Sequence, residues 1–282
     1  MKLFGYTCTF NEAEMIPYVM PFVERMGYDK FVVYDNESTD NTVEELSKYP
    51  FVEIRTFKAE NESWDEERCT LHLLAYQECF IFANQNNEEV WMSWTDFDEV
   101  IYNMDFTGTC FKSRLEGVAK IHPELNYFSE QMINLLPPPE YRDMSLSQNT
   151  KKINNILSTP GLRATMWDFG HKPLLVKVND IYYMETSIGN HAMWVTLPEG
   201  KKLYDLNEIL PSYAFHLKYI DKNALKKKTY TYTQKNCYND IYRNIENIYD
   251  ELYSTSFPLE QYFALKTVSY NEKQKCLFQI IN

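Results

Sequence analysis

Over the first hundred residues, short apolar runs alternate with longer stretches of helical period. Residues 3–9 read as a strand, after which Met15, Val19, Phe22 and Met26 recur at the spacing of a helix with one apolar face. Phe31, Val32, Val33 and Tyr34 predict a short buried strand, followed by a polar loop that Ser38, Thr39 or Asp40 can end by capping a helix that starts near Asn41. Residues 51–57 predict a third strand. Residues 64–83 predict a long helix with Leu71, Leu74, Ala75 and Phe82 on one side, and residues 89–95 a fourth strand. Strand and helix in alternation imply a parallel sheet, and such sheets collect ligands at the carboxyl ends of their strands, near the point where strand order reverses.

Beyond Val100 the pattern loosens. Pro137, Pro138 and Pro139 and a polar run over 145–155 read as a long loop or insertion, and order returns near Arg163. Residues 172–178 and 180–184 look extended, Gly189, Asn190 and His191 form a turn signal, and Ile241, Ile245, Ile248 and Leu252 share one side of a helix near the end.

Chemistry concentrates where apolar strands give way to carboxylates. Asp35 and Asp40 flank the loop after the second strand, and Asp96, Asp98 and Glu99 follow the fourth. In an extended chain residues i and i+2 point to the same side, so Asp96 and Asp98 can offer oxygens to one cation, and a cation held there can clamp a diphosphate. The 282 residues, 44% apolar, are enough to bury a substantial core. A formal charge of -12 argues against a general nucleic-acid surface, which needs basic patches. The six cysteines lack the paired spacing of a zinc site or the density of a disulfide scaffold. With no twenty-residue apolar run and no signal-peptide pattern at the start, a cytoplasmic protein with no transmembrane segment is expected.

Phe10-Asn11-Glu12, the segment from Asp35 to Thr42, and Asp96-Phe97-Asp98-Glu99, in that order and spacing, resemble the family 2 type of glycosyltransferase with the nucleotide-sugar-binding fold called GT-A. His191 and Phe215-His216 look more loosely like the downstream histidines of family 92 like bacterial enzymes. The resemblance implies an α/β Rossmann-like fold with a mostly parallel central sheet flanked by helices and a C-terminal helical extension. It implies a GT-A domain over 1–220, divided into a nucleotide-binding half (1–102) and an acceptor-binding half (103–220), and the extension over 221–282. It places Thr9, Asn11, Glu12 and Asp35 by the nucleotide base or ribose, Asp96 by the ribose or the metal's water shell, and Asp98 on a divalent cation. His191 as a further ligand would tilt Mg²⁺ toward Mn²⁺. Arg68 and Lys172 can reach the donor phosphates or pair with nearby acids.

Each residue has a plainer reading. The 35–40 segment alone suits a polar turn with a cap, and an isolated Asp-x-Asp is common on surfaces. Glu99 suits orienting its loop rather than binding. His191 suits a hydrogen-bonded structural histidine, as do His216, His171, His72 and His122. The lysine run 226–228 suits a solvated helix face, or a contact with anionic lipid at the inner membrane face. An inverting transferase needs a carboxylate base, for which Glu185 and Asp168 are the candidates. Trp167, Tyr182, Tyr183 and Trp194 suit sugar stacking or core. The expected function is metal-dependent transfer of a sugar from a nucleotide donor, a UDP-sugar foremost, to a glycan or lipid-linked acceptor in cell-surface polysaccharide assembly. A sugar nucleotidyltransferase is the alternative within the same fold, although residues 7–14 lack its Gly-rich basic loop. A non-catalytic glycan-binding module on this scaffold is the other.

Overall fold

The computed structural model describes residues 1–59, 64–103, 110–142, 161–187, 192–205, 212–234 and 245–261. The first half follows the periodicity closely: β1 (Lys2–Thr9), α1 (Ile16–Met26), β2 (Lys30–Asp35), α2 (Thr42–Leu46), β3 (Val52–Thr56), α3 (Trp64–Asn86) and β4 (Val90–Trp94). Alternate strand residues serve opposite faces. Phe31 and Val33 pack on the α1 side with Val19, Phe22 and Val23, whereas Val32 and Tyr34 pack on the α3 side with Leu71, Ala75 and Cys79. Both faces of the sheet are thus covered, as continuous apolar strands require.

The second half is more ordered than its sequence suggests. Along the stretch read as loosened run β5 (Glu99–Asn103), α4 (Phe111–Ile121) and β6 (Tyr127–Leu136). β6 is buried along most of its length, yet carries Glu130 and Asn134 inward, so neither a period-2 pattern nor an apolar run marks it. β7 (Arg163–Lys177), the hairpin β8 (Tyr183–Thr186) and β9 (Met193–Thr196), β10 (Ser212–His216), α5 (Lys222–Gln234), α6 (Ile245–Thr255) and β11 (Phe257–Pro258) complete the order. The sequence around 189–191 and 145–155 lies outside the described residues.

The main sheet has nine strands in the order β3-β2-β1-β4-β7-β6-β10-β5, with β11 on β7. Within this sheet the pairings make β7 and β5 run against the rest, so a mostly parallel mixed sheet flanked by helices results. β1 leads through α1 to β2 on one side, while β3 leads through α3 to β4 on the other. Strand order therefore reverses at β1, and the carboxyl ends of β1, β2 and β4 open on one crevice. This α/β arrangement is that of a GT-A-like fold. The C-terminal part returns to the sheet, because Leu259 N donates to Leu162 O at 2.9 Å beside β11. No helix among the described residues is long and apolar enough to cross a membrane.

Candidate active site

Two loops form the crevice. The first is knitted by hydroxyl and main-chain N–H donors to an amide oxygen and to carboxylates. Asn11, held at a left-handed φ of 53° just after β1, accepts at Oδ1 from Thr39 N (2.7 Å) and Asp40 N (3.2 Å), and its own N–H donates to Ser38 Oγ (2.9 Å). Glu12 N donates to Thr42 Oγ1 at 2.8 Å, so the loops after β1 and β2 are joined side by side. Asp40 Oδ1 accepts from Thr42 N at 2.9 Å, a local turn bond that precedes α2; the N-cap position is Asn41, with no side-chain cap bond, so Ser38, Thr39 and Asp40 do not cap the helix as expected. Thr9 Oγ1 donates to Glu12 Oε2 at 3.1 Å. Asp35 is 1% exposed; its Oδ2 accepts from Ser38 N at 3.0 Å, while its buried Oδ1 has no hydrogen-bond partner among the described residues.

The second loop is held by charge. Asp96 pairs with Arg68 from α3, and its Oδ2 lies 3.7 Å from Lys172 Nζ. Asp96 N donates to Glu99 Oε2 at 2.9 Å, and Glu99 N returns a bond to Asp96 O at 2.9 Å, closing a four-residue turn. Lys172 is fully buried in β7, with Nζ 2.5 and 2.6 Å from the two oxygens of Glu99. Burial pushes the Lys172 amine below the ordinary lysine range, against the pull of the Glu99 carboxylate. Beneath the loop, His72 packs edge-on to Trp94 with centroids 4.9 Å apart; burial, helped by the Arg68 charge, brings its pKa down to about 3.

Asp98 is buried, and its main-chain oxygen accepts from Leu217 N at 2.7 Å. Through this bond and the pairing of His216 with Glu99 between β10 and β5, the end of β10 sits against the loop. His216 Nε2 consequently lies 3.6 Å from Asp98 Oδ2, and its Nδ1 lies 3.0 Å from Asn134 Oδ1 on β6. An amide oxygen only accepts, so Nδ1 donates to Asn134, and this bond orients the ring with Nε2 toward the Asp98 carboxylate.

Of the residues singled out in the sequence, Thr9, Asn11, Glu12 and Asp35 meet in the first loop, and Arg68, Asp96, Asp98 and Lys172 in the second. Lys172 lies behind the turn rather than at its open face. Glu185 is exposed on the hairpin, accepting from Tyr183 Oη at 2.9 Å and paired in register with Trp194. That hairpin rests on α3, where Cys69 Sγ donates to Thr186 O at 3.7 Å. The side chain of Asp168 and the whole of His191 lie outside the described residues. Among the described residues no group of three or more His, Cys, Asp or Glu is arranged to hold a metal; at the crevice, Asp98 and His216 form a pair. The sequence placed His216 nearer a structural histidine, although Phe215-His216 also resembled the downstream histidines of family 92 like enzymes.

Residues 7–253 match the model of glycosyltransferase family 92, and the chain belongs to that family. Of the two families the sequence resembles, this is the one the match supports, and it makes the protein a transferase acting between a sugar donor and an acceptor. No curated protein matches the chain. Among solved structures, a crystal structure of 4-diphosphocytidyl-2C-methyl-D-erythritol synthase is similar over 64% of this chain and 77% of its own, at 11% identity and a TM-score of 0.32.

Proposed function

We propose that this family 92 member moves a sugar from a nucleoside diphosphate donor, a UDP-sugar, to a glycan or lipid-linked acceptor with inversion, in the assembly of cell-surface polysaccharide. The observation that carries this reading is the approach of Asp98 Oδ2 to His216 Nε2, 3.6 Å, at the reversal of strand order and beside the Asp35 loop. Two donors each about 2.1 Å from one cation lie roughly 3 to 4 Å apart, so the pair suits two ligands of a single Mn²⁺ or Mg²⁺ whose remaining positions go to phosphate and water. A bound divalent cation would neutralise charge as the nucleoside diphosphate departs. An oxygen-plus-imidazole set favours Mn²⁺ over Mg²⁺.

The protein groups divide the remaining work. Asp35 Oδ1, a buried acceptor lacking a donor, suits a base N–H or a ribose hydroxyl. Arg68, 12% exposed at its side chain, is the cation able to turn from Asp96 to a phosphate. Displacement at the anomeric carbon sends the acceptor proton to a carboxylate on the opposite face, a role for which Glu185 and Asp168 remain the candidates. Calorimetric titration with uridine, guanosine, cytidine and thymidine diphosphates, each with Mn²⁺ and then with chelator, tests the reading. Manganese-dependent binding of the uracil nucleotide is the expected result. Binding of none by the folded protein overturns it in favour of a glycan-binding module.

A further inference from the structure

Lysine is almost never fully buried unless paired, and a buried ion pair gains little over an apolar pair of the same volume. Lys172 and Glu99 are such a pair, at 0% and 3% side-chain exposure. Lys172 has no side-chain surface open to solvent. What an apolar pair could not supply is the acceptor for Asp96 N, which Glu99 Oε2 provides at 2.9 Å, while Lys172 fixes both oxygens of that carboxylate at 2.5 and 2.6 Å. The turn so closed carries Asp98, which has to meet a histidine arriving on another strand.

We propose that Glu99 is a positioning residue whose oxygen on Asp96 N locks the Asp96–Glu99 turn, with Lys172 compensating its buried charge, so that the Asp98 carboxylate is presented to His216 and the metal–nucleotide complex binds tightly. The proposal rests on the metal reading above. It also gives Lys172 a role different from direct contact with phosphate.

Two charge-free double variants separate positioning from bulk stability. Glu99→Leu with Lys172→Met removes the ion pair and the acceptor for Asp96 N. Glu99→Gln with Lys172→Met removes the ion pair but keeps an oxygen in that place. Each is titrated with Mn²⁺ in the presence of UDP, followed by calorimetry, and melted alongside the wild type. The Leu/Met variant is expected to melt near the wild type yet bind Mn²⁺ at least tenfold more weakly, and the Gln/Met variant to stay within about threefold of the wild type. Wild-type Mn²⁺ affinity in the Leu/Met variant overturns the proposal, as does a tenfold loss in the Gln/Met variant. Should Leu/Met fail to fold, Glu99→Met with Lys172→Met, likewise without the acceptor, is read against the same tenfold threshold. Absence of manganese dependence in the wild-type control would instead count against the metal reading itself.

Discussion

The two loops of the crevice are built on different principles. The loop after β2 is joined to the loop after β1 by hydroxyls, an amide side chain, main-chain N–H groups and the Asp40 carboxylate, with Asn11 and Thr42 at its centre. The turn after β4 is framed by cations, Arg68 and Lys172, set against Asp96 and Glu99. Main-chain N–H and hydroxyl donors to Asn11, Asp35 and Asp40 fix the shape of this loop, and in the proposed reading they leave Asp35 Oδ1 as an acceptor for a base or ribose. In the proposed reading the second turn offers Asp98, beside a histidine, to a cation, while Asp96 and Glu99 are each matched by a basic group.

If this division holds, the largest effect belongs to the charged turn. Asp98→Asn keeps volume and removes charge, and turnover in saturating Mn²⁺ should fall on the order of 10²- to 10³-fold, the scale for losing one charge-stabilising group at a reacting centre. The melting temperature should change little. Turnover equal to that of the wild type would sink the metal assignment and erase the contrast between the loops.

Asp35→Ala comes next. Removing the buried acceptor should weaken uridine diphosphate binding by about 1–3 kcal/mol, with the manganese dependence retained. Calorimetry with and without chelator reads both quantities. Normal nucleotide affinity would move the base pocket away from this loop.

The contrast also extends to pH. His72, pressed between Trp94 and the Arg68 charge, has a folded-state pKa of about 3, below the ordinary value near 6.5. Between those values the unfolded chain binds the proton and the folded chain does not. The stability contributed by neutral His72 is therefore complete above about pH 6.5 and lost as pH falls through the window toward 3, with a slope approaching 1.4 kcal/mol per pH unit. His72→Phe should flatten that part of the acid limb in urea melts at pH 4 to 7. An unchanged slope would show that protonation near the charged turn is absorbed elsewhere.

The loops also differ in how far the sequence reveals them. Asp35 and Asp98 could be read because each lies within a few residues of a strand whose apolar run is plain, and the role of Glu99 in orienting its own loop was legible for the same reason. His216 and Lys172 were harder. Both reach the turn from strands paired to it only in the tertiary structure, and the inward side of β7 depends on its register with β6, which shifts between Phe128 and Ser129 and again between Gln131 and Ile133. Those irregularities have no local signature, so the sequence left Lys172 open between a donor phosphate and pairing with acids, and placed His216 nearer a structural histidine than a ligand. β6 escaped for a related reason: its buried Glu130 and Asn134 break the apolar run that would have marked it.

The smallest effect tests the first loop itself. Asn11 accepts two main-chain hydrogen bonds through Oδ1 while its backbone sits at a φ of 53°, a left-handed position that asparagine tolerates better than most residues. Asn11→Ala loses both bonds and puts a less tolerant residue at that φ, whereas Asn11→Gly loses the bonds and relieves the backbone. The glycine variant should therefore be the more stable of the two by about 1 kcal/mol in denaturant melts, and both should bind uridine diphosphate more weakly than the wild type because the β2 loop is no longer tied to β1. Equal stabilities would mean that the left-handed turn adds nothing to the choice of asparagine. Wild-type nucleotide affinity in both variants would mean that the β2 loop holds its shape without Asn11, leaving Asp35 and its bond from Ser38 N to define the base pocket.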